Sequence, residues 1–382
     1  MASTAPWAVV FGGPSPEHEI SILTGLQAER VLTAAGHDVV PIYWAPTGDW
    51  FRVPAATEAK DYLEGAPSGS TPLEVRVSGE PGIYRRKTFG AERVEIEAAL
   101  LCLHGGAGEG GGAAAVFSLL GIPATGSTLF AGAVGMDKLA FGGLMQAAGI
   151  PSLPREAVST IVEPTFAGPY IVKPRFGGSS IGIEIADGVD AARALAATSI
   201  HLRTGAVVEP YRPELVDLNI AFRTFPSLEI TPLEKPLRGD SGSALYSYAE
   251  KYLAGGAGTD AGLTSAPREF PAQVPDAVAA RARELAERVA EVTRLTGIVR
   301  VDLLLDEATG ELFVNEVNSI PGALSLYLWV PLQPAATVLL DALTEARDRR
   351  VVFPQAGFGG GAALRAAGGI AGKLVGLDGP RA

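Results

Sequence analysis

The sequence predicts an α/β protein in which a small doubly wound sheet comes first and a second unit is organised around a polar hairpin. Two observations carry this: strand-like and helical segments alternate from Trp7 to Leu120, and two apolar strands after residue 297 hold polar groups at matched spacing. Trp7-Ala-Val-Val-Phe11 is a short buried strand running into Gly12-Gly13, with a helical segment starting near Ser21. Val39-Val-Pro-Ile-Tyr43 forms a second strand. Ala98 to Leu103 forms another, ending at His104-Gly105-Gly106 before a helix to Leu120. In such β-turn-α layouts ligands bind at the carboxyl ends of the strands.

A different unit begins at Met136. Tyr170-Ile-Val-Lys173 and Ala206-Val-Val-Glu209 are strand-like, whereas Val278, Ala282, Leu285, Val289 and Val292 recur at helical steps and mark one helix ending near Gly297. After Phe353 the chain is rich in glycine and alanine and reads as loosely ordered.

With 382 residues there is room for two or three domains, and 47% hydrophobic against 19% charged residues is a globular balance. The formal net charge of −11 disfavours a general nucleic-acid or anionic-membrane surface, so an anionic substrate needs a local basic cluster. Cys102 is the single cysteine, which excludes an intrachain disulfide and a cysteine-based zinc site; in Ala98-Ala-Leu-Leu-Cys-Leu103 it reads as a small buried hydrophobe. No basic leader and no apolar run of about 18 residues is present, so the chain reads as soluble and cytoplasmic, without nucleic-acid or membrane partners.

The hairpin carries the chemistry. Along Arg300-Val-Asp302 and along Glu316-Val-Asn318 the polar residues share one face of each strand. If Asp302 lies opposite Glu316, then Arg300 lies opposite Asn318, a register that calls for an odd-length loop centred on Thr309 with Gly310 at positive φ. Two carboxylates and an amide oxygen gathered in this way suit Mg²⁺ shared with substrate phosphates. The bland alternative is a solvated face with an Arg–Asp surface pair. Lys173-Pro-Arg-Phe-Gly177-Gly178-Ser179-Ser180-Ile-Gly182 follows a strand and suits phosphate contact, although it is neither a Walker A sequence nor GxGxxG. Among 47 glycines a flexible linker is the alternative, and Lys138, Lys251 and Glu209 tip the balance towards a site.

Several segments carry a family resemblance: Phe11 to Ser21, His104 to Glu109, Gly121 to Ser127, Met136-Asp-Lys138-Leu139, Lys173 to Gly182, Glu250 to Leu253, Arg300-Val-Asp302 and Asn315 to Gly322. In this order, over about residues 7 to 345, the chain resembles the D-alanine:D-alanine ligase family of the ATP-grasp superfamily. The resemblance implies an N-terminal pre-ATP-grasp α/β domain over 1–128, ATP-grasp subdomains over 129–213 and 214–350, and a tail over 351–382. Two subdomains would grip ATP. Lys138 and Lys173 would contact phosphates, Glu209 the adenine edge, and Asp217 the ribose, with Glu214 as the fallback because the spacing is one residue long; Lys251 would face ATP. Asp302, Glu316 and Asn318 would hold two Mg²⁺ ions, for which Mn²⁺ can substitute.

The implied chemistry is phosphorylation of a carboxylate, then attack by an amine on the acyl phosphate, with Arg300 stabilising the tetrahedral oxyanion. Glu17 would bind the first substrate's ammonium beside a Ser179–Tyr252 pair; as a bare sequence feature Glu17 is also a helix N-terminal acid. Tyr252, where ester-forming members carry histidine, favours amide formation. His104 would border the first-substrate pocket, although a lone histidine in a glycine turn is more often structural. Members of the family commonly form homodimers, and small amino acids or amines are the implied partners.

Four departures fall where the family reads amino acids: Phe176-Gly177 before the serines, Glu109-Gly110-Gly111 after the histidine loop, Ala254 to Gly258 in the closing loop, and Tyr327 in place of a serine hydroxyl that holds the second substrate's carboxylate. Either the acceptor differs or Ser325 takes over. Three functions follow: synthesis of D-alanyl-D-alanine, a specialised ligase with another acceptor, and a nucleotide-binding protein without catalysis. The presence of Lys138, Lys173, Arg300, Asp302, Glu316 and Asn318 disfavours the last.

Overall fold

Trp7–Gly12 (β1) is apolar enough to be buried on both faces, and in the structure, a computed structural model describing residues 5–237, 267–349, 361–367 and 369–374, it lies inside a seven-stranded sheet. It pairs in parallel with Val39–Trp44 (β2) and Ala99–Leu101 (β7). From β2 outward the sheet continues as an antiparallel meander through Trp50–Arg52 (β3), Thr71–Arg76 (β4), Gly82–Arg86 (β5) and Ala91–Arg93 (β6). The doubly wound reading therefore covers three of the strands. The meander escaped it because its strands are short and exchange charges across their exposed faces, as between Arg86 and Glu74 and between Lys87 and Glu92.

The first helix, α1 (His18–Ala34), starts three residues before the expected Ser21, with Glu17 at its N-cap position. It lies directly on β1. A side chain at Gly25 would come within 2.4 Å of Phe11 Cβ, so glycine permits that approach. The helix expected up to Leu120 is divided into α2 (Gly106–Glu109) and α3 (Gly112–Leu120), because Gly111 between them takes φ of +92°.

Two further antiparallel sheets follow α4 (Leu129–Met136) and α5 (Lys138–Ala147). One joins Glu156–Ala157 (β8), Tyr170–Pro174 (β9), Glu184–Ala186 (β10) and Ala206–Pro210 (β11) in the order β10-β9-β11-β8. The other comprises Val216–Arg223 (β12), Glu229–Ile230 (β13), Ile298–Leu305 (β16) and Leu312–Asn318 (β17) in the order β13-β12-β16-β17. A two-stranded ribbon of Lys235–Pro236 (β14) and Arg268–Glu269 (β15) stands beside it.

The expected helix runs Asp276–Thr293 and buries Val278, Ala282, Leu285 and Val289; each fully buried valine or leucine side chain contributes about 1.5–3 kcal/mol. It stops before Gly297, because Arg294 takes a left-handed φ of 55°. The Ala335–Arg349 helix contributes Val338, Leu339 and Leu343 to the core of the first sheet, so the C-terminal segment returns to the N-terminal one. Residues 350–382 form a separate unit, with helices at Ala362–Ala367 and Ala371–Leu374. Among the described residues no helix is long and apolar enough to cross a membrane.

The β16–β17 hairpin has the expected pairs Asp302 with Glu316 and Arg300 with Asn318, but reaches them by another route. Below the site the register is Leu303 with Val314 and Leu305 with Leu312, which leaves Asn315 as an extra residue. The loop is thus the even-length Asp306–Glu311, with Gly310 at φ 76° and its N–H bonded to Asp306 O. The missing residue of register comes from a bulge, a device that re-aims side chains beside sites.

Candidate active site

Lys138 is the first residue of α5, held there by Asp137, whose carboxylate accepts the N–H groups of Leu139 at 3.1 Å and Ala140 at 3.2 Å. Burial alone would raise the Asp137 pKa, but the Arg175 fork at 2.8 and 2.6 Å and the helix amides hold it below its usual value. The Lys138 ammonium donates to Gly177 O at 2.7 Å and pairs with Glu316 at 2.9 Å, so it joins the glycine loop to the hairpin. On β9, Lys173 pairs with Glu209 at 2.8 Å. Glu209 is fully buried, and Arg155 takes its other oxygen at 2.8 Å. The carboxylate that the resemblance aims at adenine is thus shared by two cations.

The glycine loop is pinned rather than free. Ser179 and Ser180 both take left-handed φ, 51° and 59°, and non-glycine residues hold that conformation only when their surroundings impose it. Ser179 Oγ donates to Glu17 Oε1, and a side chain at Gly178 would come within 2.9 Å of Glu17 Oε2. Glu17 therefore does not cap its own helix; its side chain crosses to the loop.

Across the hairpin, the Arg300 guanidinium grips Asp302 through two bonds, 2.6 and 2.9 Å, and Asn318 Nδ2 donates to Asp302 Oδ2 at 3.1 Å. Asp302, Glu316 and Asn318 line one cavity with Lys138 and Lys173. Among the described residues no group of three or more His, Cys, Asp or Glu side chains could cage a metal. Two hard carboxylates and an amide, with the remaining positions left to water and phosphate, nevertheless suit Mg²⁺.

His104 is almost fully buried, with Nε2 2.7 Å from Thr24 Oγ1 and Nδ1 2.7 Å from Ile320 O. Burial lowers its pKa to about 4, so the ring is neutral. It is absent from the cavity wall and ties the first sheet to the segment after β17. Beside it, Glu109 accepts N–H groups from Gly105 at 3.0 Å and Ile320 at 3.2 Å. Burial, then the charge of Glu17, raises its pKa to about 7.

The far end of the cavity is built on a left-handed turn in which Ala323, Leu324 and Ser325 take φ of 51°, 49° and 48°. Tyr327 lines the cavity; its hydroxyl donates to Glu234 Oε2 at 3.2 Å, and the Arg268 guanidinium lies 4.3 Å over its ring. Burial, then Glu234, pushes the phenol well above its ordinary range, so it remains a donor. Glu234 also accepts from Asn219 at 3.0 Å and lies 3.5 Å from Arg268.

Sequence comparison fits this geometry. The family profile described as "D-ala D-ala ligase N-terminus" matches residues 7–127, and "D-ala D-ala ligase C-terminus" matches residues 131–343. The chain belongs to the D-alanine:D-alanine ligase family. The D-alanine--D-alanine ligase of Mycolicibacterium vanbaalenii is 31% identical over 90% of this chain and 97% of its own length. That of Kineococcus radiotolerans is 33% identical over 82% and 88%. In fold, the chain is similar to the VanG D-Ala:D-Ser ligase from Enterococcus faecalis, with TM-score 0.72, 23% identity and coverage of 90% and 100%. It is also similar to the D-alanine-D-alanine ligase from Helicobacter pylori, with TM-score 0.68, 20% identity and coverage of 89% and 98%. As a member of this family the chain has the ATP-grasp fold and is an ATP-dependent ligase that forms a C–N bond.

For a D-alanine:D-alanine ligase family member, the structure gathers Lys138, Lys173, Glu209, Ser179, Arg300, Asp302, Glu316, Asn318 and Tyr327 on one cavity, with Glu17 bonded to Ser179. Asp217 lines it as well, whereas Glu214 is exposed and paired with Arg212, which removes the fallback. Ser325 lies in the left-handed turn, fully buried and outside the cavity wall, and among the described residues its hydroxyl has no hydrogen-bond partner. Lys251, Tyr252 and the Ala254 to Gly258 loop lie outside the described residues. Sequence reasoning missed Arg155, Asn315, Glu234 and Arg268. A charged residue in Leu153-Pro-Arg-Glu156 and an asparagine one step from Glu316 were the signals, but neither reveals a partner distant in sequence.

Proposed function

We propose that this ligase joins the carboxyl group of one amino acid to the amine of a second, with D-alanyl-D-alanine, ADP and phosphate as the default products. One observation carries the reading: Asp302 opposite Glu316 and Arg300 opposite Asn318, facing the cavity that Lys138 and Lys173 enter. A carboxylate oxygen of the first substrate attacks the γ-phosphorus of ATP and ADP departs, leaving an acyl phosphate. The neutral amine of the second substrate then attacks the acyl carbon, phosphate leaves, and the amine gives up its proton to the departing phosphate. Lys138 and Lys173 offset charge on the phosphoryl group. Arg300 donates to the oxyanion, and Glu17 receives the first ammonium beside Ser179. Mg²⁺ held by Asp302, Glu316 and Asn318 would supply charge stabilisation at the phosphate oxygens.

A second reading, in which the acceptor is not D-alanine, is favoured by the Tyr327–Glu234–Arg268 cluster. Product analysis with phosphate release across D- and L-amino acids and simple amines separates the two. D-alanine as best donor and acceptor supports the default, another preferred amine supports the second, and no ATP-dependent phosphate release with any substrate overturns both.

A further inference from the structure

The Arg155 side chain is 2% exposed, yet it reaches three groups around the nucleotide end of the cavity. Its Nε lies 2.8 Å from Glu209 Oε1 off the hydrogen-bond axis, and among the described residues neither atom has another hydrogen-bond partner. One terminal nitrogen donates to the main-chain oxygen of Asn315 and, at 3.2 Å, to Asn315 Oδ1; the other lies 3.5 Å from Lys138 O. Asn315 is the bulged residue of the hairpin, and its Oδ1 is also 3.4 Å from Lys173 Nζ.

The charges do not cancel. Lys173 and Glu209 alone would be a neutral buried pair with little attraction left for an anion. With Arg155, two buried cations share one carboxylate, and the cluster carries a net formal charge of +1. Burial would raise the Glu209 pKa, but Arg155 and Lys173 outweigh it and keep the carboxylate ionised. An excess buried cation is costly until an anion arrives.

We infer that Arg155 is a positioning residue for the nucleotide: by taking half of the Glu209 carboxylate, it leaves Lys173 with charge to spend on a phosphate. Arg155 itself stands behind Glu209 and touches no substrate. The inference rests on the ATP-binding reading above, and the test keeps the two apart. Binding of a non-hydrolysable ATP analogue to the wild type by calorimetry tests the parent reading; if it fails, both readings fail.

Given that binding, three variants are compared for KM(ATP), KM of the amino acids, kcat and thermal midpoint. Arg155→Gln keeps a donor for Asn315 but removes the charge, and should raise KM(ATP) and the analogue Kd by about tenfold with amino-acid KM unchanged. Arg155→Lys keeps the charge and should stay within about threefold of wild type. In Arg155→Gln/Glu209→Gln the net charge returns to that of the wild type, and affinity for inorganic tripolyphosphate, which has no adenine to lose its contact with Glu209, should return towards the wild-type value. A merely structural residue would lower the melting point without this pattern. Unmoved KM(ATP) in Arg155→Gln, or a double variant that binds tripolyphosphate no better than the single, overturns the inference. If Arg155→Gln does not fold, a tenfold-raised KM(ATP) in Arg155→Lys overturns it, and a near-normal value there together with wild-type tripolyphosphate affinity in the double variant upholds it.

Discussion

At the end of the cleft proposed for the nucleotide the polar groups stand on paired strands and a helix start: Lys173 and Glu209 on adjacent strands, Lys138 at the head of α5, and Asp302 and Glu316 across one hairpin. At the end proposed for the acceptor, Tyr327 stands on the short helix Leu326–Trp329 after the left-handed turn, Glu234 just before β14 and Arg268 on β15, so the three meet from separate segments. Strand register fixes side-chain positions to within the pleat, whereas a turn can be rebuilt without disturbing a sheet. Under the function proposed above, the contrast assigns activating chemistry and acceptor choice to separable parts.

The comparison breaks most visibly at Glu316. Glu316→Gln removes a hard oxygen donor and leaves Lys138 without its carboxylate partner, while the apolar face of β17 is untouched. Turnover should fall by at least about 10³-fold with Mg²⁺ dependence weakened, and the melting temperature should move little. Phosphate release against Mg²⁺ concentration measures this, and ordinary activity would remove Glu316 from the chemistry.

A smaller effect sharpens the other end. If acceptor choice resides at Tyr327, then Tyr327→Ser should change the ratio of kcat/KM values for D-alanine and the preferred competing amine by about tenfold, with KM(ATP) unchanged. A shift in KM(ATP) of the same size would mean that the two ends are not separable.

The smallest effect concerns the joint between the first sheet and the segment after β17. The pKa of His104 is lowered from 6.5 to about 4, so its contribution to stability is complete above pH 6.5 and lost as pH falls towards 4. Glu109, raised from 4.5 to about 7, acts with the opposite sign: its contribution is full below pH 4.5 and lost as pH rises through 7. The informative measurement is therefore the difference between wild type and His104→Asn. The variant should be less stable at pH 7, and its melting temperature should fall less steeply between pH 6.5 and 4. Parallel curves would show that His104 does not titrate there.

The sequence by itself determined the strands of Lys173, of Glu209 and of the hairpin, and which face the hairpin residues share, but not the strand of Asp217 or the ribbon of Arg268. Period-two alternation placed Arg300 and Asp302 on one side and Glu316 and Asn318 on one side, and the facing pairs follow from that alternation alone. The motif order likewise carried the fold and the lysines. What only the tertiary structure decided is how those pairs come into register and what stands behind them. The loop turned out even and the bulge at Asn315 supplied the shift, because loop closure and bulge give the same facing pairs and sequence cannot tell them apart. Arg155, Glu234 and Arg268 became legible only when folding brought Glu209, Asn315 and Tyr327 to them across tens of residues. A charge reads as a surface charge until its partner is known, and the partner of a buried charge is chosen by packing, not by spacing along the chain.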